Sequence, residues 1–268
     1  MRVQIRCPSC SKQGKIDVSE ESLKNVSRGL LAVNIAKGIV CEHSFVAYID
    51  KNMQVRDYFI ADFQIELPSI EPIAEEVKRK IPPKDQLDVD LIKMNMTPSF
   101  LLPLIRMIFM KKNLVIVLED LFIKKHLQAF HEFITEDNFE FNFTYVSEND
   151  YRQKKDEFKG RYILKGKDVF NDKGELIDTN KWSMERRMVQ KFYEETDPDT
   201  CLIILKNEIK KIHELTKSLI DFIDNTKNKD TLNSKKMIDY LNATFKEKIS
   251  VSFLEVLLDI IENYFEKE

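Results

Sequence analysis

The sequence predicts a multi-domain α+β protein, and three observations carry that prediction. Near the amino terminus two cysteine-bearing turns, Cys7-Pro8-Ser9-Cys10 and Cys41-Glu42-His43, lie beside runs in which apolar and polar residues alternate as they do in β-strands. In the middle, the continuous apolar run Leu114 to Leu118 is followed by a helical pattern and two more strand-like runs, the order of a small, mostly parallel βαβαβ sheet. From Asp197 onward apolar residues recur at helical spacing, which predicts a helical hairpin or three-helix bundle. At 268 residues and 43% hydrophobic content the chain can support two or three modules, each with its own core.

The elements follow in chain order. Residues 1–67 read as a β module, with Val3 and Ile5 ahead of the first cysteine turn and Leu31, Val33 and Ile35 ahead of the second. Residues 44–50 and 54–60 form a hairpin whose turn places Asn52 in the left-handed conformation. Residues 68–97 are a Pro-rich linker holding a short charged stretch, Glu75 to Lys80. An α/β domain follows over residues 98–196. It opens on a helix from Pro98 to about Lys111 capped by Thr97, then the strand 114–118 and a helix burying Phe122, Leu127, Phe130 and Phe133. Strands over 139–146 and 161–164, separated by a short helix capped by Ser147, complete it. In residues 197–268, Asp197-Pro198 caps a long helix whose Leu205, Ile209, Ile212, Thr216, Leu219 and Ile223 advance by alternating fours and threes, a heptad seam. A helix over 235–245 and a last helix with a Ser252…Glu255 capping box end the chain.

Composition excludes more than it assigns. Charged residues make up 32% but the net charge is -3, so no global field draws the protein to nucleic acid or an anionic membrane. The longest apolar run, Phe100 to Met110, is broken by Pro103 and Arg106 and is shorter than the roughly 20 residues of a spanning helix. Four cysteines, two of them in one C-x-x-C with no secretory leader ahead, point to a reducing, cytoplasmic setting and to metal in place of disulfides.

Cys7, Cys10, Cys41 and His43 are the candidate metal ligands: three thiolates and one imidazole match the tetrahedral appetite of Zn²⁺, and a Cys-x-x-Cys turn lets two thiolates reach one ion. The second pair has one intervening residue where two are usual. On these four residues the amino-terminal quarter resembles a zinc ribbon, a resemblance of about 60 residues that implies a zinc-stapled β module and no particular activity. A structural staple and a redox pair at Cys7 and Cys10 are the competing roles. Residues 1–67 carry 9 Lys and Arg against 8 Asp and Glu, so the module lacks the basic face that phosphate neutralisation requires.

Three functional readings follow. The first is a non-enzymatic, zinc-stapled interaction or adaptor protein, docking a protein partner or a second copy of itself through the helical seam. The second is a nucleic-acid-associated regulatory protein using the zinc module and residues 151–192, where 12 Lys and Arg face 7 Asp and Glu; Lys165, Lys167, Arg186 and Arg187 are its candidate phosphate contacts, with Tyr162 or Trp182 available to stack. The turn 171–174 of a solvated hairpin is the plainer account of the same stretch. The third is a metal-dependent hydrolase or phosphotransfer enzyme with Glu119 and Asp120 at the carboxyl edge of the strand 114–118. His126 and His131, five apart on a helix, cannot easily share a metal, and Cys201 reads as a small buried hydrophobe.

Overall fold

The computed structural model describes residues 2–18, 30–60, 81–136, 138–171, 182–226, 232–246 and 248–265. The charged stretch 75–80 and most of the predicted turn 171–174 lie outside these residues. Among the described residues the chain is α+β, with three sheets and eight α-helices.

At the amino terminus β1 (Arg2–Arg6) and β2 (Gln13–Asp17) form an antiparallel ribbon. A second, three-stranded antiparallel sheet follows in the order β3 (Leu31–Ile35), β4 (Phe45–Ile49), β5 (Val55–Ile60). The predicted hairpin is β4–β5, but Met53 and not Asn52 takes the left-handed conformation, at φ 61°. The Asp50 carboxylate explains the shift: it accepts from the Asn52 and Gln54 amides at 2.8 and 2.9 Å, holding the turn one residue later. All five residues of β4 are buried, because the strand packs on two sides. Phe45, Ala47 and Ile49 face the ribbon with Val3, Ile5 and Val40, while Val46 and Tyr48 join the main core.

Within the predicted linker, α1 (Val89–Asn95) is a capped helix: Asp88 accepts from the Leu91 amide, and Val89 and Ile92 are buried in the main core. Pro98 opens α2 (Pro98–Phe109) at its first turn, although the Thr97 side chain makes no cap bond. Every residue of α2 from Phe100 on is buried, so this is a core helix surrounded on all sides. The third sheet has the order β7 (Asn142–Ser147), β6 (Asn113–Leu118), β8 (Tyr162–Lys165), β9 (Asp168–Phe170), parallel except for β9. The β8–β9 turn falls at Gly166-Lys167, with Gly166 at φ 58°, ahead of the turn expected at 171–174.

Between β6 and β7 a 3₁₀ turn, Leu121–Ile123, precedes α3 (Lys124–Thr135), and Phe122, expected in the core, is exposed on that turn. Phe139 lies before β7 in place of inside it, its ring edge-on to Tyr264 at 5.0 Å. One face of the sheet joins the main core through Leu114, Ile116 and Leu164. The other, with Val115, Val117 and Ile163, is covered by Phe158 and Tyr151 from the connection that includes α4 (Glu148–Gln153), a helix capped by Ser147 as expected.

The remaining helices are α5 (Ser183–Glu194), α6 (Pro198–Asn225), α7 (Ser234–Phe245) and α8 (Val251–Ile260). Asp197 caps α6 and Pro198 opens it. Ser250, not Ser252, caps α8, accepting from the Phe253 amide at 3.2 Å; Ser252 instead bonds the Ser250 hydroxyl. The heptad seam is real but already occupied: Leu205, Ile209, Ile212, Thr216 and Leu219 are all at most 2% exposed, with α6 packed against α3, α5, α7 and α8 of its own chain. That removes the observation on which self-association through this seam rested.

Two buried polar clusters organise the main core. Arg106 of α2, 4% exposed, bonds Glu185 of α5 at 3.1 Å and Asp259 of α8 at 2.8 Å, so one guanidinium ties three helices. In α3, fully buried His131 bonds the Tyr145 hydroxyl through Nδ1 amid Phe130, Phe141 and Phe143. Burial pushes the His131 imidazole down to about 3. The folded state therefore refuses a proton that the unfolded chain takes up below its ordinary value of 6.5, so stability is lost as pH falls from 6.5 toward 3. At about 1.4 kcal/mol per pH unit the loss reaches the order of 4 kcal/mol. We expect His131→Phe to flatten the acid limb of urea-unfolding stability between pH 7 and pH 4; an unchanged limb would refute this assignment.

Candidate metal centre

The first turn hangs between the two strands of the ribbon. The Cys7 amide donates to Lys12 O at 2.9 Å and the Ser11 amide to Cys7 O at 2.9 Å, with Ser11 in the left-handed conformation at φ 62°, so the backbone wraps tightly around the Cys7 and Cys10 thiols. The second turn connects β3 to β4. Gly38, at φ 93°, sends its amide to Cys41 O at 2.7 Å and brings Cys41 back toward the ribbon. Gly14 of β2 packs against Val40, next to the second turn: a Cβ there would stand 2.8 Å from Val40 Cγ2, so a larger residue would have to displace the valine side chain. At the far side the Arg6 amide donates to the Tyr58 hydroxyl at 2.9 Å, tying β1 to β5.

These contacts converge on one point. The Sγ atoms of Cys7, Cys10 and Cys41 and a ring nitrogen of His43 all lie within 4.8 Å of one another, and among the described residues this is the only such group of His, Cys, Asp or Glu. The short Cys41-x-His43 spacing is accommodated by a hook: the His43 amide points back at Cys41 Sγ at 3.5 Å, and Nδ1 lies 3.6 Å from the same sulfur. Two ligands of a tetrahedral zinc at ordinary bond lengths stand about 3.6 Å apart for sulfur and nitrogen and about 3.8 Å for two sulfurs. The donor set could hold a metal ion, and the Cys41 Sγ to His43 Nδ1 separation matches the tetrahedral value for sulfur and nitrogen.

Cys7 is 1% exposed and Cys41 9%, whereas Cys10 and His43 face solvent, so the site is half embedded at one end of the small core. Burial pushes both inner thiols up. For Cys7 that push is outweighed by hydrogen bonds from the Cys10 amide, the Cys41 thiol and the Ser9 amide, and the group ends below its ordinary value. Cys41 ends above its own, because burial and the neighbouring Cys7 and Cys10 outweigh the His43 amide.

The other predicted site residues are not brought together. Asp120 accepts from the Phe122 amide at 3.0 Å and thus caps the 3₁₀ turn, and Glu119 beside it is exposed. Lys165 pairs with Glu148 at 2.7 Å, Lys167 is exposed on the β8–β9 turn, and Arg187 is half-buried on α5. Arg186 is buried, and Trp182, at 1% exposure, lies in the main core where no base can stack on it. His126 accepts from the Asp88 amide at 3.1 Å, and Cys201 is fully buried, its thiol donating to Pro198 O at 3.1 Å.

No family model matches the chain, and neither the curated proteins nor the solved structures searched contain a match. Among the described residues no helix is long and apolar enough to cross a membrane.

Proposed function

We propose that Cys7, Cys10, Cys41 and His43 hold one structural Zn²⁺, and that the chain is a non-enzymatic, zinc-stapled interaction protein that docks a protein partner. The observation that carries this is the convergence of four protein donors from two separate turns: bound to one tetrahedral ion, they would leave no coordination position for a water or substrate. The charge balance of residues 1–67 favours a protein surface over a phosphate backbone as partner, and the burial of Arg186 and Trp182 weakens the nucleic-acid reading further. Asp120 is already engaged as a cap, which weakens the enzyme reading.

Cobalt substitution tests the closed site. A catalytic metal carries a water whose ionisation near pH 7 alters its spectrum. The Co²⁺ protein should show thiolate charge-transfer bands that stay constant from about pH 6 to 9 and vanish in Cys7→Ser. A spectrum that titrates near neutrality would mean an open coordination position and would contradict the non-enzymatic reading.

A further inference from the structure

The donors of the metal centre are unequally sheltered. Of the four cysteines in the chain, Cys7, Cys41 and Cys201 are buried and only Cys10 is exposed. The Cys10 Sγ lies within 4.8 Å of the Cys7 Sγ, and both thiols belong to the one turn that the Ser11 amide closes on Cys7 O. Small rotations of the two side chains bring such a pair to the S–S bond length of about 2 Å. Metal binding keeps a cysteine sulfur as the thiolate, its nucleophilic form, so the exposed member of this set stands where a small oxidant arrives first.

Cys41 and Cys201 lack that access. The Cys41 sulfur faces its own hook, with the His43 amide at 3.5 Å and His43 O at 3.8 Å. Cys201 lies in the main core, where burial pushes its thiol up to about 11. It stays protonated at neutral pH and serves as an internal reference for an unreactive cysteine.

The ribbon that this turn belongs to covers an apolar face. Val3 and Ile5 of β1 share one small core with Ile35 of β3 and with Phe45, Ala47 and Ile49 of β4, and none of these last four is more than 1% exposed. Besides that packing, the bond from the Arg6 amide to the Tyr58 hydroxyl and the metal centre hold the ribbon in place. A two-stranded ribbon is marginal alone, so loss of the metal releases it and opens the face beneath.

We propose that Cys10 is a site of oxidation by hydrogen peroxide, and that the Cys7–Cys10 disulfide formed from it expels the metal and lifts the ribbon off the second sheet. The proposal rests on the zinc reading above. In the first step the Cys10 thiolate attacks one peroxide oxygen: an S–O bond forms, the O–O bond breaks and hydroxide leaves. In the second the Cys7 thiolate attacks the Cys10 sulfur: the S–S bond forms, the S–O bond breaks and a second hydroxide leaves. The two thiolates give up two electrons, the peroxide takes them, and two protons from solvent turn both hydroxides into water. Cys41 and His43 alone then remain as donors, too few for a structural ion.

Hydrogen peroxide added to the zinc-loaded chain tests this, with zinc release followed by a coloured chelator and the cysteines mapped by alkylation and mass spectrometry. All of the zinc should be released as a Cys7–Cys10 disulfide forms, with Cys201 still a free thiol. Amide protection across residues 2–18 should fall with it, and a thiol reductant with added zinc should restore both. Cys10→His keeps a zinc-ligating side chain but removes the exposed sulfur, so peroxide should release its zinc about tenfold more slowly or less. Should that variant hold no zinc, the disulfide map of the parent chain decides the proposal by itself. Zinc that stays bound in peroxide, that leaves without a Cys7–Cys10 disulfide, or that leaves Cys10→His as fast as the parent overturns this proposal and spares the structural site. A chain that takes up no zinc before the oxidant is added overturns the zinc reading as well.

Discussion

Cys7→Ser, or removal of the metal by a chelator, should abolish the fold of the amino-terminal ribbon while leaving the main core intact. A two-stranded ribbon such as β1–β2 has little stability of its own, and the core beneath it is a small cluster built around Val3, Ile5, Ile35, Val40 and Phe45. Structural zinc bound by such ligands contributes on the order of 10 kcal/mol, far more than the Arg6–Tyr58 bond and the Gly14–Val40 contact can replace. The main core draws on α2, α3, α5, α6 and α8, which carry none of the four ligands. Amide hydrogen exchange should therefore show protection lost across residues 2–18 and retained in α2 and α6. Ribbon protection that persists after chelation would mean the metal is not its staple.

Arg106→Met should be the most damaging single change in the helical core. It removes the ion-pair partner that Glu185, a carboxylate with 0% side-chain exposure, has among the described residues, and releases Asp259 as well. Removing one partner of a buried pair costs about 3–5 kcal/mol, because the other charge is left uncompensated. The pair is not fully satisfied even in the native protein: Arg106 Nε and Glu185 Oε2 are buried without a partner among the described residues. Burial pushes the Glu185 carboxyl up despite the attraction of Arg106. Its folded state thus holds a proton more tightly than the unfolded chain does. This contribution is full below the ordinary carboxylate value near 4.5 and declines as pH rises through the raised folded value, opposite in sign to that of His131. Urea unfolding of Arg106→Met, Glu185→Leu and the double variant at pH 7 checks the account. The double variant should recover much of what Arg106→Met loses, and simple additivity of the two losses would contradict it.

The legible and illegible parts of this chain separate by the range of the forces involved. Pattern within ten residues was enough for β6, for the capped start of α6 and for the Cys7–Cys10 turn, because apolar runs, Asp-Pro pairs and cysteine spacing act locally. Patterns that depend on distant partners were not. The seam from Leu205 to Leu219 has the same spacing whether it meets a second copy or its own α3, α5 and α8, and only the fold shows the latter. Arg106 reads in sequence as a break in an apolar run; its partners Glu185 and Asp259 lie 79 and 153 residues away. Trp182 and Arg186 sit in a basic stretch, yet the amphipathic face of α5 turns both inward. At the metal centre the residue types were readable, while the hook that lets a one-residue spacing work depends on the His43 amide folding back on Cys41.

The central claim, a closed tetrahedral zinc site, is tested most directly by the zinc X-ray absorption spectrum of the purified chain. We predict one zinc per chain with a first shell of three sulfurs at about 2.3 Å and one nitrogen at about 2.0 Å. A shell containing a water oxygen, or a protein purified without bound metal that keeps its ribbon folded, would contradict it.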